Sequence, residues 1–479
     1  MLDEEDIRTL VTDMWRLHDA ERVWLDTIYE HVSGVRGQPE VPLGAGQEVK
    51  DLAKLSIKNV LSLVRDSFVQ NLSVIGYRDA LAKENSTAWA SWQANRMDAR
   101  QVEVYRPAVT YGASYVVVTK DDEVGALWRP RSPRQLLAVY EDPQTDQWPQ
   151  YAFETWVDQS YAKPFRRGVL YDDEVMYPLE FGEMPVLPAD QNATNVARAA
   201  TIRGFGEPVA HGAAQCPVVR FVNARDAEDL IVGEIAPLLT LQKAINTVNF
   251  DRLLVSRFGA FPQKVISGWS GTESELLKAS AKRVWTFDDP DVKAQSFPPA
   301  NMEQYNSVLG EMLEHVAMVA QISPAQVTGK LINVSAEALA AAEANQQRKL
   351  QSKRDSFGES WEQTFRLAAQ IDGDTATSED ESAEVVWRDT EARAFGAIVD
   401  GIAKLAAAGV PIAELLELIP NLTQQKIQAI KDSVRRGQAT QLITALTRPA
   451  PPPPGQMPSN GSQPQEPPRV AEGVNAVPG

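Results

Sequence analysis

The chain has 479 residues, 43% of them hydrophobic and 23% charged, and carries a formal net charge of −17. That length leaves room for two to four domains and a sizeable core, while so negative a chain is no coat for nucleic acid, which needs a cationic surface. One cysteine, Cys216, excludes an internal disulfide framework and a cysteine-based zinc site, and the four histidines (His18, His31, His211, His315) form no H-E-x-x-H pair.

The opening Met1-Leu2-Asp3-Glu4-Glu5-Asp6 is acidic and lacks the basic and apolar regions of a signal peptide. No apolar run approaches the roughly 18 residues of a membrane span. The chain is therefore expected to be cytosolic at synthesis, with no membrane role.

Residues 3–32 predict a helix with Ile7, Leu10, Val11, Met14 and Leu17 on one side. A Gly/Pro-rich break follows from Ser33 to Gly46. A second helix is expected over roughly Val49 to Leu72, burying Leu52, Leu55, Val60, Leu63, Val64 and Phe68. A third runs from about Thr87 to Tyr111, carrying Trp89, Trp92, Met97, Val102 and Val109, and Gly112 ends it.

The pattern then turns to strands: Ser114 to Thr119, Ala126 to Arg129, Gln135 to Tyr140, Gln150 to Val157, Val169 to Asp172, and Pro217 to Val222. An α+β unit thus fills about residues 1–225, with Pro185 to Ala214 expected as an irregular loop. Gly233 and Pro237 introduce a helix through about Phe258, with Leu238, Leu241, Ile245 and Val248 on one face. Residues 259–300 form a small insert of two strands, a short helix, and the acidic turn Asp288-Asp289-Pro290-Asp291.

Two long helical patterns come next. The first, near Glu303 to Gln321, places Tyr305, Val308, Leu309, Met312, Val316 and Val319 on one face, and Ser323-Pro324 stops it. After a loop from Gln326 to Asn333, Ser335 caps a second helix that opens with Ala336, Ala338, Ala340, Ala341, Ala342 and Ala344. At about 1.5 Å per residue it is roughly 50 Å long, and its slender start suits close packing against identical neighbours. A small helical region follows, and the Pro/Gly/Gln/Ser-rich stretch from Arg448 onward is too poor in apolar residues to fold.

Little in the chain looks catalytic. Gly329-Lys330 lacks the phosphate-loop pattern, because Pro324 and Leu331 stand where glycine and Ser/Thr are needed. Asp289-Pro290-Asp291 resembles the metal-holding D-x-D of some glycosyltransferases, so a metal-dependent transferase using Asp289 and Asp291 is one alternative. In an acidic protein a solvated turn is the default. No G-x-S-x-G elbow is present. Arg348, Lys349, Lys353 and Arg354 are interleaved with Gln351 and Asp355, so a solvated helix face is expected there. The scattered tryptophans are expected as core or interface anchors. A helical scaffold or adaptor that forms no ring is the other alternative.

In order along the chain, several strings resemble the portal (head–tail connector) proteins of long-tailed double-stranded DNA bacteriophages. They are Trp92 to Asp98, Tyr111 to Val116, Pro217 to Asn223, Gly233-Glu234-Ile235 and the helix containing Gln242 and Asn246. The loop and alanine-rich helix after Ile322-Ser323-Pro324, then Trp387-Arg388-Asp389 and Gly409-Val410-Pro411, complete the series.

The resemblance implies a mainly helical α+β portal fold, with wing, stem, clip and crown around a central channel. Residues 1–228 would be the wing, 229–258 and 301–322 the stem helices, and 259–300 the clip. Residues 323–334 would be the tunnel loop, 335–371 the long wing helix, 372–447 the crown and 448–479 a disordered tail. Thr328, Lys330 and Asn333 would face DNA; Trp269, Glu273, Asp288, Asp289 and Asp291 would lie on the partner-docking clip. The implied assembly is a homo-dodecamer at one capsid vertex of the virion, assembled in the host bacterial cytoplasm. Its implied partners are double-stranded DNA passing without sequence readout, the terminase large subunit, a head-completion adaptor, and the major capsid and scaffold proteins. No enzyme activity and no cofactor are implied.

Overall fold

The computed structural model describes residues 1–79, 85–160, 164–183, 202–259, 264–267, 293–296, 301–329, 336–388, 390, 395–411, 415 and 430–436. The chain divides into a large unit, Met1–Gln424, and a second, Gln425–Gly479, whose described residues 430–436 are helical.

Helix α1 (Glu4–Val32) starts where the Asp3 carboxylate accepts the Glu5 and Asp6 amides, with three acidic residues in its positive first turn. Its first half buries Ile7, Val11, Met14 and Trp15 against a β-sheet, and its far end contributes Ile28 and Val32 to a separate, larger core.

The helix expected over residues 49–72 is two helices, α2 (Gln47–Leu55) and α3 (Leu61–Val69). Between them the backbone of residues 56–60 gives its hydrogen bonds to another helix, described below. Strand β1 (Val74–Arg78) follows. The helix expected over residues 87–111 is likewise divided, into α4 (Ser86–Ala94) and α5 (Met97–Tyr111). The Asn95 side chain causes the break: it donates to Ala126 O and accepts from Trp128 N, and Arg96 turns left-handed at φ 55°.

Three strands, β2 (Ala113–Asp121), β3 (Gly125–Arg131) and β10 (Val218–Val222), make an antiparallel sheet in the order β10-β2-β3. A second antiparallel sheet runs through β4 (Leu136–Val139), β5 (Tyr151–Asp158), β6 (Phe165–Tyr171), β7 (Val175–Glu183) and β8 (Gly204–Phe205). Strand β9 (Val209–Ala210) also pairs with β7. So the described part of the expected 185–214 loop contributes two short strands to a sheet.

A 3-10 turn (Ala236–Leu238) leads into α6 (Leu239–Gly259). The insert contributes the antiparallel pair β11 (Lys264–Ser267) and β12 (Lys293–Ser296). Helix α7 (Met302–Ala320), capped by Asn301, packs on α6. The expected loop after it begins with a helical turn, α8 (Pro324–Thr328), stopped by Gly329 at φ 69°.

Helix α9 (Ala336–Asp372) is 37 residues long, about 55 Å. It packs on β10, β2 and β3. After α10 (Thr375–Ser378), β13 (Glu384–Trp387) returns to pair with β1, and α11 (Phe395–Ala407) follows. Most of the strands thus run together between Ala113 and Val222, with the helices mainly before and after them, as in an α+β fold.

The large core is aromatic at its centre. Trp92, Trp128, Trp361 and Phe365 are fully buried, and Trp92 meets Trp361 edge-on at 5.0 Å. Tyr77 stacks on Phe365 at 4.2 Å and Phe221 meets Trp361 at 4.6 Å. The Trp361 indole donates to the Tyr105 hydroxyl at 2.9 Å. Each such pair contributes about 0.5–1.5 kcal/mol beyond its buried area, and together they fix α9 against α4, α5 and β10.

Candidate functional site: a buried lysine–glutamate joint on the long helix

Gln346, Lys349 and Lys353 stand three and four residues apart on α9, hence on one face. The solvated basic surface expected at residues 348–354 is therefore split. Lys353 is only 2% exposed, Arg354 is buried as well, and Lys349 is partly covered. A buried ammonium needs compensating partners, and it has them.

Lys353 Nζ donates to Glu234 Oε1 and to Asn223 Oδ1, both at 2.5 Å. Lys349 Nζ takes the other carboxylate oxygen, Glu234 Oε2, at 2.5 Å, and donates to Ala320 O at 3.3 Å. The Asn223 amide completes the cluster by donating to Glu234 Oε1 and Val232 O. Both ammonium groups lie 5.3 Å from the centre of the Phe68 ring.

Burial alone would push the Glu234 carboxyl up; Lys353 and Lys349 together overcome that and hold it below its ordinary value. Burial pulls Lys353 down, and Glu234 opposes the pull. Two cations on one carboxylate keep Glu234 charged, whereas the lowering of Lys353 comes first from its burial, with a smaller push from Lys349.

Two glycines place Glu234 there. Gly112 ends α5 at φ 107°, and a β-carbon on it would stand 2.8 Å from the Ile231 side chain and 3.0 Å from Gly233 N. A β-carbon on Gly233 would collide with Thr110 O and stand 2.8 Å from Gly112 N. The segment before α6 thus lies flush on the end of α5, pinned by Glu234 N to Val109 O at 2.8 Å and Asn223 N to Gly112 O at 2.7 Å.

The joint gathers four parts of the chain. Gln346 donates to Ser67 O on α3 and accepts from Gln326 on α8; Lys349 holds the carboxyl end of α7; Glu234 leads into α6. Along α6 a row of amides continues the attachment. Gln242 accepts from Val60 N and donates to Lys58 O, and Asn246 accepts from Lys58 N and donates to Gly37 O. Asn249 donates to Ser56 O. These side chains satisfy the backbone of residues 56–60 in place of a helix.

Of the residues expected to face a channel, Thr328 closes α8, half-buried, with its hydroxyl donating to Pro324 O at 2.9 Å. Lys330 and Asn333 lie outside the described residues, as do Trp269, Glu273, Asp288, Asp289 and Asp291. Among the described residues no group of three His, Cys, Asp or Glu side chains is arranged to hold a metal ion. Also among them, no helix is long and apolar enough to cross a membrane.

The chain is thus a mainly helical α+β fold whose long helices meet at a buried polar joint. Residues 68–439 match the family described as phage portal protein, SPP1 Gp6-like, and the chain belongs to that family. It is 26% identical over 362 residues to the portal protein of Mycobacterium phage D29, covering 72% of this chain and 71% of that one. It is 27% identical over 366 residues to the portal protein of Mycobacterium phage L5, with the same coverage. Among solved structures, the neck of a native GTA particle computed with C12 symmetry aligns with 81% of this chain and 98% of that one, at 11% identity and a TM-score of 0.43.

Five of the strings that carried the resemblance supply this region: Gly112, Asn223, Gly233-Glu234, Gln242 with Asn246, and the helix after Pro324. Lys349 and Lys353 escaped sequence reasoning, since their spacing matches a solvated face as well as a buried one. The signal available was their placement at i, i+4 around Leu350 and Phe357, both buried.

Proposed function

We propose that twelve copies of this chain form a ring at one vertex of the capsid and serve as the conduit for double-stranded DNA in packaging and ejection. The observation that carries this reading is the portal-family match across residues 68–439. Uncovered apolar side chains support it: on α7, Val308 is 41%, Met318 69% and Val319 45% exposed. On α1, Leu17, Val23 and Trp24 are bare as well. A lone subunit leaves these in water; a neighbour would cover them.

In this reading residues 1–228 and 335–371 are the wing, 229–258 and 301–322 the stem, 259–300 the clip, and 372–447 the crown. Thr328, Lys330 and Asn333 face the channel. Trp269, Glu273, Asp288, Asp289 and Asp291 dock first the terminase motor and then the head-completion adaptor. A chain of net charge −17 holds no strong grip on a duplex bearing one charge per about 1.7 Å, so DNA slides without sequence readout.

Sedimentation and negative-stain imaging of the purified chain test the ring: particles near twelve times the 52.7 kDa subunit are expected. A strictly monomeric protein at high concentration would reject it. Lys330→Glu is expected to leave assembly intact and alter DNA packaging or retention; unchanged packaging and retention would remove Lys330 from the channel.

A further inference from the structure

Two clefts of nearly equal size flank the middle of α9, and they differ in charge. One, of about 420 Å³, is lined by Tyr140, Arg220 and Arg225 together with Ser352, Ser356 and Ser360 of the helix. The other, of about 450 Å³, is lined by Asp355, Glu359 and Glu362 of the same helix and by Glu381 and Glu384 beyond it. At about 100° per residue, the two sets of helix positions lie about a quarter of a turn apart around α9.

The charge of the first cleft is concentrated in Arg220. Its guanidinium lies 4.3 Å over the Tyr140 ring and donates to Pro143 O at 3.1 Å. Among the described residues Arg225 has a carboxylate at 3.5 Å, Asp229, and Arg220 has none. Asp146 also borders this cleft, one of its oxygens accepting from Asp142 N at 2.7 Å, and its charge offsets one of the two guanidiniums. A guanidinium held over an aromatic ring is preorganised for a carboxylate. In the second cleft Arg354 is directed to Asn71 O and Thr390, while Glu359 and Glu381 are exposed.

We propose that these clefts meet between neighbouring copies of the chain: Arg220, with Arg225 beside it, receives the Glu359 and Glu381 carboxylates of the next subunit. The proposal rests on the ring reading above. A ring built from one repeated head-to-tail contact needs two different, complementary surfaces on each subunit. Opposite charge on the two flanks of one rigid helix meets that need and sets the register of the contact.

Charge reversal in the full-length protein tests it. R220E/R225E and E359K/E381K should each lose rings in sedimentation under conditions where the unaltered protein forms them, with far-UV circular dichroism unchanged. The chain carrying all four substitutions should regain rings. An equimolar mixture of the two double variants should too, since alternating subunits restore every contact. If R220E/R225E fails to fold, R220Q/R225Q should lower the salt concentration at which rings dissociate. Unaltered ring formation by either folded reversal variant would overturn the contact and leave the ring standing; it would direct the cleft to an acidic segment of another protein. An unaltered protein that never forms rings would overturn the ring reading and this contact with it.

Discussion

Gly112 and Gly233 pack back to back, so closely that a β-carbon on Gly233 would stand 2.8 Å from the Gly112 nitrogen and collide with Thr110 O. The atoms in the way are backbone, which has nowhere to turn. Gly233→Ala is therefore expected to destabilise the fold by about 2–3 kcal/mol and to displace Glu234 from Lys353. Thermal unfolding measures the first effect. A Gly233→Ala protein as stable as the parent would mean that the two segments are not in this contact.

Lys353→Met and Glu234→Gln probe the joint from its two sides. Loss of Lys353 leaves Glu234 with Lys349, which reaches solvent; loss of the Glu234 charge leaves two ammonium groups on a neutral amide. Glu234→Gln should accordingly be the worse of the two, in the range of about 3–5 kcal/mol found when one partner of a buried pair is removed. Urea unfolding of both variants and of the double variant should give a coupling of about 1 kcal/mol or more. Additive losses would show that the two groups do not interact.

Acid should weaken the fold in two separable steps. Burial, helped by Arg22 and Arg166, pulls the His18 imidazole down from 6.5 to about 4, against its hydrogen bond to Pro133 O. Between those values the unfolded chain takes up a proton that the folded chain refuses, so stability falls as pH drops from about 6.5 to 4, by about 3 kcal/mol in all. Glu234, held below its ordinary value, contributes stability that is lost at lower pH still, as its carboxylate is protonated in the fold. His18→Asn should reduce the first limb of a stability–pH curve, leaving the share of His211, which burial also pulls down, and should leave the second limb unchanged. A curve with the same first limb in that variant would assign it to another group.

Asn246→Leu should release the stretch between α2 and α3. Lys58 N and Gly37 O both lose their partner, while Gln242 still holds Val60 N. Hydrogen exchange at Lys58 is expected to speed by more than tenfold, with Val60 far less affected. Equal protection in parent and variant would mean that the amide row does not hold this segment.

The parts of the fold legible in the sequence are those where periodicity and burial coincide. The run Tyr115 to Val118 reads as a buried strand, and of the apolar face expected on α7, Leu309 and Val316 are buried while Val308 and Val319 are exposed. The breaks were not legible, because each depends on a hydrogen bond to a part of the chain far away in sequence. Nothing near Asn95 announces that it will bond to β3, and nothing near Lys58 announces that α6 will take its backbone. The joint was half legible: its glycines and Glu234 stood out within the family strings, whereas Lys349 and Lys353 looked like any charged helix surface until Glu234 and Asn223 were brought beside them.

Cys216 is the chain's sole thiol, 1% exposed, and burial raises its pKa well above that of a free cysteine. The thiolate is the reactive form, so the parent protein should resist alkylation. A cysteine introduced at an exposed position thus becomes the one addressable label on each subunit. Fluorophores or cross-linkers placed there would report distances between copies without any need to strip the native background.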